Sequence, residues 1–329
     1  MMRYDFVAIG DVVTDAFIRI ADANAEVRDG KLSLGYGDKI PFERAHIIPA
    51  VGNSANAAVA AARLGLSTTF VSNIGDDRAG DDIITQLKKE DVDASFVHRN
   101  QGVASNYHYV LWYKDDRTIL IKHERYTYHL PVMGDPKWIY FSSVGEHADQ
   151  FHDDVSTYMR QHPDVKLAFQ PGTFQIKLGT HRLRDLYKRT ELFFCNREEA
   201  MRILETTDND ITNLVRGMHH LGPKLVVITD GPKGAYTSDG TTIWYMRPYP
   251  DPKPPFERTG AGDAFSSTFT SALTLGLTLE DAMRWGPINS MSVVQYVGAQ
   301  EGLLRRSQLE KYLVEAPADY KPKEFAKLS

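Results

Sequence analysis

Short apolar runs recur along the chain, each about the length of one strand, and several are separated by enough residues for a helix. Phe6-Val7-Ala8-Ile9 closes on Gly10, and similar runs stand at Phe70-Val71-Ser72, Trp138 to Phe141, Leu167 to Phe169, Leu192 to Phe194 and Leu225 to Ile228. A strand that is apolar throughout has both faces covered, the situation of a parallel strand with helices above and below it. The alternation predicts a three-layer α/β/α body. With 329 residues, 42% of them hydrophobic and 25% charged, the chain can bury a sizeable core and does not read as disordered.

The charge balance narrows the partners. Thirty-eight basic residues against 43 acidic ones give a net charge of −5. Such a surface offers no footprint for polyanions, so neither nucleic acid nor an anionic membrane is expected as a partner. One cysteine, Cys195, excludes an internal disulfide framework and is expected at a buried strand end. The first apolar run stops at Gly10, too early for a signal-peptide core, and no apolar stretch reaches the roughly 20 residues that span a bilayer. A soluble, cytoplasmic protein is the expectation.

Two stretches break the alternation. Asn106 to Trp112 and Arg117 to Lys122 are rich in aromatic and β-branched residues and flank Tyr113-Lys114-Asp115-Asp116, a hairpin turn by composition. Arg28 to Ile48 carries four glycines or prolines among charged and apolar residues and would extend the same flap. Together they suggest a small β lid on the larger body.

Chemistry concentrates in Glu257-Arg258-Thr259-Gly260-Ala261-Gly262-Asp263. Phe265, Phe269, Ala272 and Leu273 follow with the spacing of one buried helix face, so the glycines open a helix. Main-chain N–H groups can converge there, and the positive end of the helix dipole favours a phosphate. Asp263 would then be a carboxylate beside an anion site, able to take a proton from an attacking hydroxyl, or simply a residue that charges the helix start. A dinucleotide fingerprint from Gly260 would need a small residue where Phe265 stands, and no GxxxxGK[ST] loop occurs. His123, His129, His147 and His152 lack HExxH spacing and read as flap or surface residues. Tyr107, Tyr109, Trp112 and Tyr113 either stack on a ligand or cover the flap.

A second segment, Val51 to Gly65, sets Gly52, Asn53, Ser54 and Asn56 at the start of an alanine-rich helix. Those donors and acceptors suit a polyol, although helix starts favour Ser and Asn without any ligand.

In this order and at this distance, the two segments resemble the signatures of the PfkB or ribokinase family of carbohydrate and nucleoside kinases. Val51 to Gly65, with the downstream Ile74-Gly75-Asp76-Asp77-Arg78-Ala79-Gly80, is similar to the N-terminal signature. Glu257 to Asp263 is similar to the C-terminal Asp-Thr-x-Gly-Ala-Gly-Asp. The resemblance implies one kinase domain of ribokinase-like fold over residues 1–329, with lid segments at approximately 28–48 and 102–128. It implies ATP-dependent phosphorylation of a hydroxymethyl group on a sugar, in the manner of a ribokinase or fructokinase. A nucleoside kinase of adenosine type is the alternative, and a non-catalytic ligand-binding regulator a third.

Residue by residue, the resemblance makes Asp263 the general base and Gly260, Ala261 and Gly262 the anion hole. It makes Asp15, after the first strand, the carboxylate that grips acceptor hydroxyls, helped by Gly52, Asn53 and Asn56. Asn196 and Glu199 match an Asn-x-x-Glu motif that organises Mg²⁺ through water, and they also match a helix capping box. Thr229, Gly231 and Gly234 match the turn along the nucleotide phosphates, with Asp230 as an acidic intruder. Asn289 falls where the family lines its adenine pocket, and helix packing accounts for it equally.

Some positions depart from the family pattern. Glu257 and Arg258 replace the usual Asp-Thr, Val51 replaces a frequent glycine, and Gln170 stands where an acidic residue is common. The missing aspartate leaves monovalent-cation activation open, and Arg258 either reaches a phosphate or pairs with Glu257. Exposed flap edges suggest a homodimer through the lid.

Overall fold

The structure is a computed structural model that describes residues 3–114, 116–256 and 258–328; Asp115 and Glu257 therefore lie outside the described residues. Ten strands form the main sheet. Seven of them are parallel, in the order Leu225–Thr229, Leu192–Asn196, Lys166–Phe169, Trp138–Phe141, Phe6–Ile9, Thr68–Gly75 and Val97–Asn100. Ala235–Ser238, Thr242–Met246 and Lys323–Lys327 extend one edge in antiparallel fashion.

Successive side chains of a strand leave on opposite faces, and here both faces are core. Phe6 and Ala8 join one apolar cluster, with Phe265, Phe269 and Trp285. Val7 and Ile9 join the other, with Phe151, Val155 and Met218. That is the three-layer arrangement expected from all-apolar strands. No helix among the described residues is long and apolar enough to cross a membrane.

On the first face, the Asn53–Arg63 helix lies against the Ala261–Thr274 helix. Alanines on one side and buried Ser and Thr on the other let the two backbones come close. The hydroxyls are satisfied within the helix, since Ser267 donates to the Asp263 carbonyl at 2.6 Å and Thr270 to that of Ser266 at 2.8 Å. This contact decides which polar residues of the two helices can meet.

The second sheet has four strands, in the order Phe42–Val51, Val13–Ile20, Tyr107–Tyr113 and Asp116–Lys122. Its hairpin is antiparallel, with Tyr113 opposite Asp116. Asp15 follows the first strand and belongs to Val13–Ile20, a run whose Val13, Thr14, Ile18 and Ile20 favour extended backbone. One detail differs from the sequence reading. Of the segment from Arg28 to Ile48, only the part from Phe42 onward joins this sheet. Glu26–Arg28 and Lys31–Ser33 instead form a ribbon that turns through left-handed Asp29 and Gly30.

Candidate active site

Gly260 has φ 76°, a left-handed value, and a β-carbon there would overlap Ala299. Glycine is therefore required twice over, by conformation and by contact. The Ala261–Thr274 helix starts immediately after it with no side-chain cap, so the amides of the first turn face outward at the positive end of the dipole.

Asp263 lies in that first turn. Its carboxylate accepts from two amides: Asn56 Nδ2 at 2.9 Å to one oxygen and Gln170 Nε2 at 3.2 Å to the other. Each donor is itself held. Gln300 Nε2 donates to Asn56 Oδ1 at 3.0 Å, and Gln170 Oε1 accepts from Ser266 Oγ at 2.8 Å and from the Tyr140 hydroxyl. Burial pushes the Asp263 carboxyl above the ordinary aspartate value, while the two amide bonds hold it down. A carboxylate so raised is the stronger proton acceptor, yet it is kept in its acceptor state by donors on both oxygens.

Two residues expected to touch ligands are buried here. The Asn56 amide joins Asp263 to Gln300 and so positions the carboxylate. Asn289 is fully buried as well. It donates to Thr268 Oγ1 at 2.7 Å and accepts from the Leu304 amide at 2.9 Å, which ties two helices to the loop before Arg305. Those contacts fit the helix-packing alternative.

Asp263 opens into a cavity of about 200 Å³ that Asn53, Gln170, Asn196, Glu199, Gly260 and Gly262 also line. Asn196 and Glu199 cap each other, with the Asn196 amide 2.9 Å from Glu199 Oε2 and the Glu199 amide 2.8 Å from Asn196 Oδ1. Burial raises the Glu199 carboxyl, and the nearby Asp263 charge adds to the effect. Two carboxylates thus face one small cavity, with the Arg202 charge offsetting part of the effect on Glu199. Two hard oxygen donors beside one cavity fit a hydrated divalent cation such as Mg²⁺.

A second cavity, about 310 Å³, shares Thr229 and Gly262 with the first and continues past Gly231, Gly234, Arg258, Phe265 and Pro287. Thr229, Gly231 and Gly234 therefore line a pocket that adjoins the anion site. Arg258 lines the same pocket. Asp230 is no obstacle there, because Arg197 of the Asn-x-x-Glu motif pairs with it at 3.3 Å.

On the other side of Asp263 lies the small sheet. Gly52, φ 116°, starts the Asn53–Arg63 helix, and a β-carbon there would come within 2.9 Å of the Asp11 carbonyl. Asp11, in turn, accepts from the Tyr128 hydroxyl at 2.9 Å. Asp15 lies 3.2 Å from His108 Nδ1, and His108 meets His123 Nε2 to Nε2 at 3.4 Å. No group of three or more potential ligands among the described His, Cys, Asp and Glu residues could hold a metal ion.

The sequence reading missed Gln170, Gln300, His108 and Asp11. Only Gln170 carried a signal: an amide directly after a buried strand, at the end of the sheet where the other functional residues gather.

An uncapped helix start with a carboxylate in its first turn, opening into a cavity on a layered α/β body, is an arrangement suited to phosphoryl transfer. The description "pfkB family carbohydrate kinase" matches residues 48–306. The chain belongs to this family, whose members transfer phosphate to hydroxyl groups. It is 28% identical over 273 residues to the ribokinase of Bacillus subtilis, covering 80% of this chain and 87% of that one. It is 24% identical over 314 residues to the ATP-dependent 6-phosphofructokinase of Thermoanaerobacterium thermosaccharolyticum, covering 90% of each. Its fold matches that of Arabidopsis thaliana ribokinase, solved with ribose and ATP, with a TM-score of 0.78 at 21% identity over 95% of this chain and 99% of that one.

Proposed function

We propose that the chain transfers the γ-phosphoryl group of ATP to a hydroxymethyl group of a sugar, with Asp263 as general base and the Gly260–Gly262 amides as anion hole. One observation carries this reading. The Asp263 carboxylate, raised by burial and held by two amide donors, opens into the cavity at the uncapped start of its own helix. A hydroxyl placed there gives its proton to Asp263 as its oxygen attacks the phosphorus in line. The helix amides take up charge that develops on the transferring group, a contact whose loss costs on the order of 3 kcal/mol.

ATP would lie in the larger cavity along Thr229, Gly231 and Gly234, its phosphates reaching the smaller one beside Asn196. Glu199 and Asn196 would hold Mg²⁺ through water; the ion, when bound, neutralises phosphate charge. The acceptor would sit between Asp15, Gly52, Asn53 and the small sheet. That sheet acts as a lid on a single catalytic unit, and its closure would exclude water and suppress idle ATP hydrolysis. Its exposed Ile47, Tyr109, Leu120 and Ile121 suit pairing with a second copy of the chain.

Acceptor-dependent ADP release, measured with ATP and Mg²⁺ over panels of sugars and nucleosides, tests the reading. Turnover confined to nucleosides would move the assignment to a nucleoside kinase. Nucleotide binding without turnover on any acceptor would make the chain a ligand-binding regulator.

A further inference from the structure

The residues that the small sheet brings to the acceptor end form a chain of four titratable groups: Asp15, His108, His123 and Asp11. Asp15 Oδ1 lies 3.2 Å from His108 Nδ1, the two Nε2 atoms face each other at 3.4 Å, and His123 Nδ1 lies 3.7 Å from Asp11 Oδ2. Asp11 is only 7% exposed. The array adjoins the reacting centre on two sides. The Asp11 carbonyl packs on Gly52, which starts the helix that carries Asn53 and Asn56. The His123 ring meets Phe174 edge-on, four residues beyond the Gln170 that holds Asp263.

The array sets two carboxylates, Asp15 and Asp11, at the ends of two imidazoles that face each other. No lysine or arginine pairs with Asp11 or Asp15 among the described residues. The arginines on that face of the sheet, Arg19, Arg44 and Arg117, gather at Trp112, four residues further along and about 13 Å away at strand spacing. Arg19 is in addition paired with Asp22 and Glu43.

Within the array, Asp15 Oδ1 and His123 Nδ1 are both buried without an aligned hydrogen-bond partner, and the carboxylate oxygen is an acceptor only. Buried acceptors of this kind call for a ligand that brings hydroxyl or ammonium donors. A phosphate or carboxylate brings only more acceptors and more negative charge into a desolvated place.

We propose that the Asp15–His108–His123–Asp11 array selects the phosphoryl acceptor by charge, admitting hydroxylated molecules that are neutral or carry an amino group and excluding those that carry phosphate or carboxylate. This rests on the kinase reading above and narrows its substrate class.

ADP release with ATP and Mg²⁺ is measured over matched sets: neutral pentoses, hexoses and nucleosides, aminated sugars, hexose 6-phosphates and aldonates. The expected kcat/KM for the anionic members is lower by about 100-fold or more than for the neutral ones, the scale of a buried like-charge clash. Asp11→Asn, close in shape, is expected to narrow that gap by about tenfold through the KM of the anionic acceptors. An anionic acceptor turned over as well as the best neutral one, or a folded Asp11→Asn variant with an unchanged ratio, overturns the charge selection and leaves the kinase reading standing. Bound ATP with no turnover on any member overturns the kinase reading and the selection with it. The wild-type ratio alone decides the matter if the variant does not fold.

Discussion

Gln170 Nε2 donates to Asp263 Oδ1 at 3.2 Å, joining the residue that follows one sheet strand to the first turn of a helix 93 residues later. The glutamine cannot turn its amide around, because its own oxygen accepts from Ser266 and Tyr140. A fixed donor of this kind orients the carboxylate and lowers its proton affinity against the effect of burial.

Replacing Asp263 by Asn removes the proton acceptor while keeping the shape. Turnover in the ADP-release assay is expected to vanish, with ATP affinity, followed by calorimetry, largely retained. Unchanged turnover would refute the role of base.

Gln170→Leu removes one of the two donors that oppose burial. The Asp263 carboxyl, already above its ordinary value, should rise further. Activity is lost on the acid side as the base takes up its proton, so that limb of the kcat/KM profile should move to higher pH. Gln170→Glu, which brings a like charge to the carboxylate, should move it further still. A glutamine with only a packing role would change stability and leave the limb in place.

Gly260→Ala forces a side chain into Ala299 and strains a left-handed residue. The anion hole should distort and kcat fall by roughly 100-fold, on the order of 3 kcal/mol in barrier. Acceptor affinity should change less, because the acceptor is held from the other side of Asp263.

Arg63 pairs at 2.8 Å with the largely buried Glu90, and Arg63 also donates to the Gln300 and Leu303 carbonyls at 2.7 Å. Gln300 is the residue that supports Asn56 under the base. The Arg63 guanidinium holds the Glu90 carboxyl below its ordinary value of 4.5. The stabilisation is therefore complete above that pH and is lost as pH falls through the lowered value in the folded state. Arg63→Met, which leaves Glu90 buried and unpaired, should cost about 3 kcal/mol at neutral pH in urea unfolding. The difference from wild type should shrink in acid.

Much of this protein can be read from local sequence. Short, largely apolar runs at helix-length intervals determined the layered sheet, since only covered strands tolerate apolar residues on both faces. Gly260 to Asp263 before an apolar helix face marked a helix start open to an anion, because a helix start needs no partner to expose its amides. Tertiary structure decided what the amides do. Gln300 has no particular pattern, and Asn56 and Gln170, although both are noticeable in the sequence, meet Asp263 only when distant elements close on it. The same holds for His108, His123, Asp11 and Asp15, which share no spacing and meet where the small sheet docks. Asn289 shows the converse: one residue before the cavity-lining Ser290, it points into the core, since a helix turns by about 100° per residue and a single step separates wall from interior.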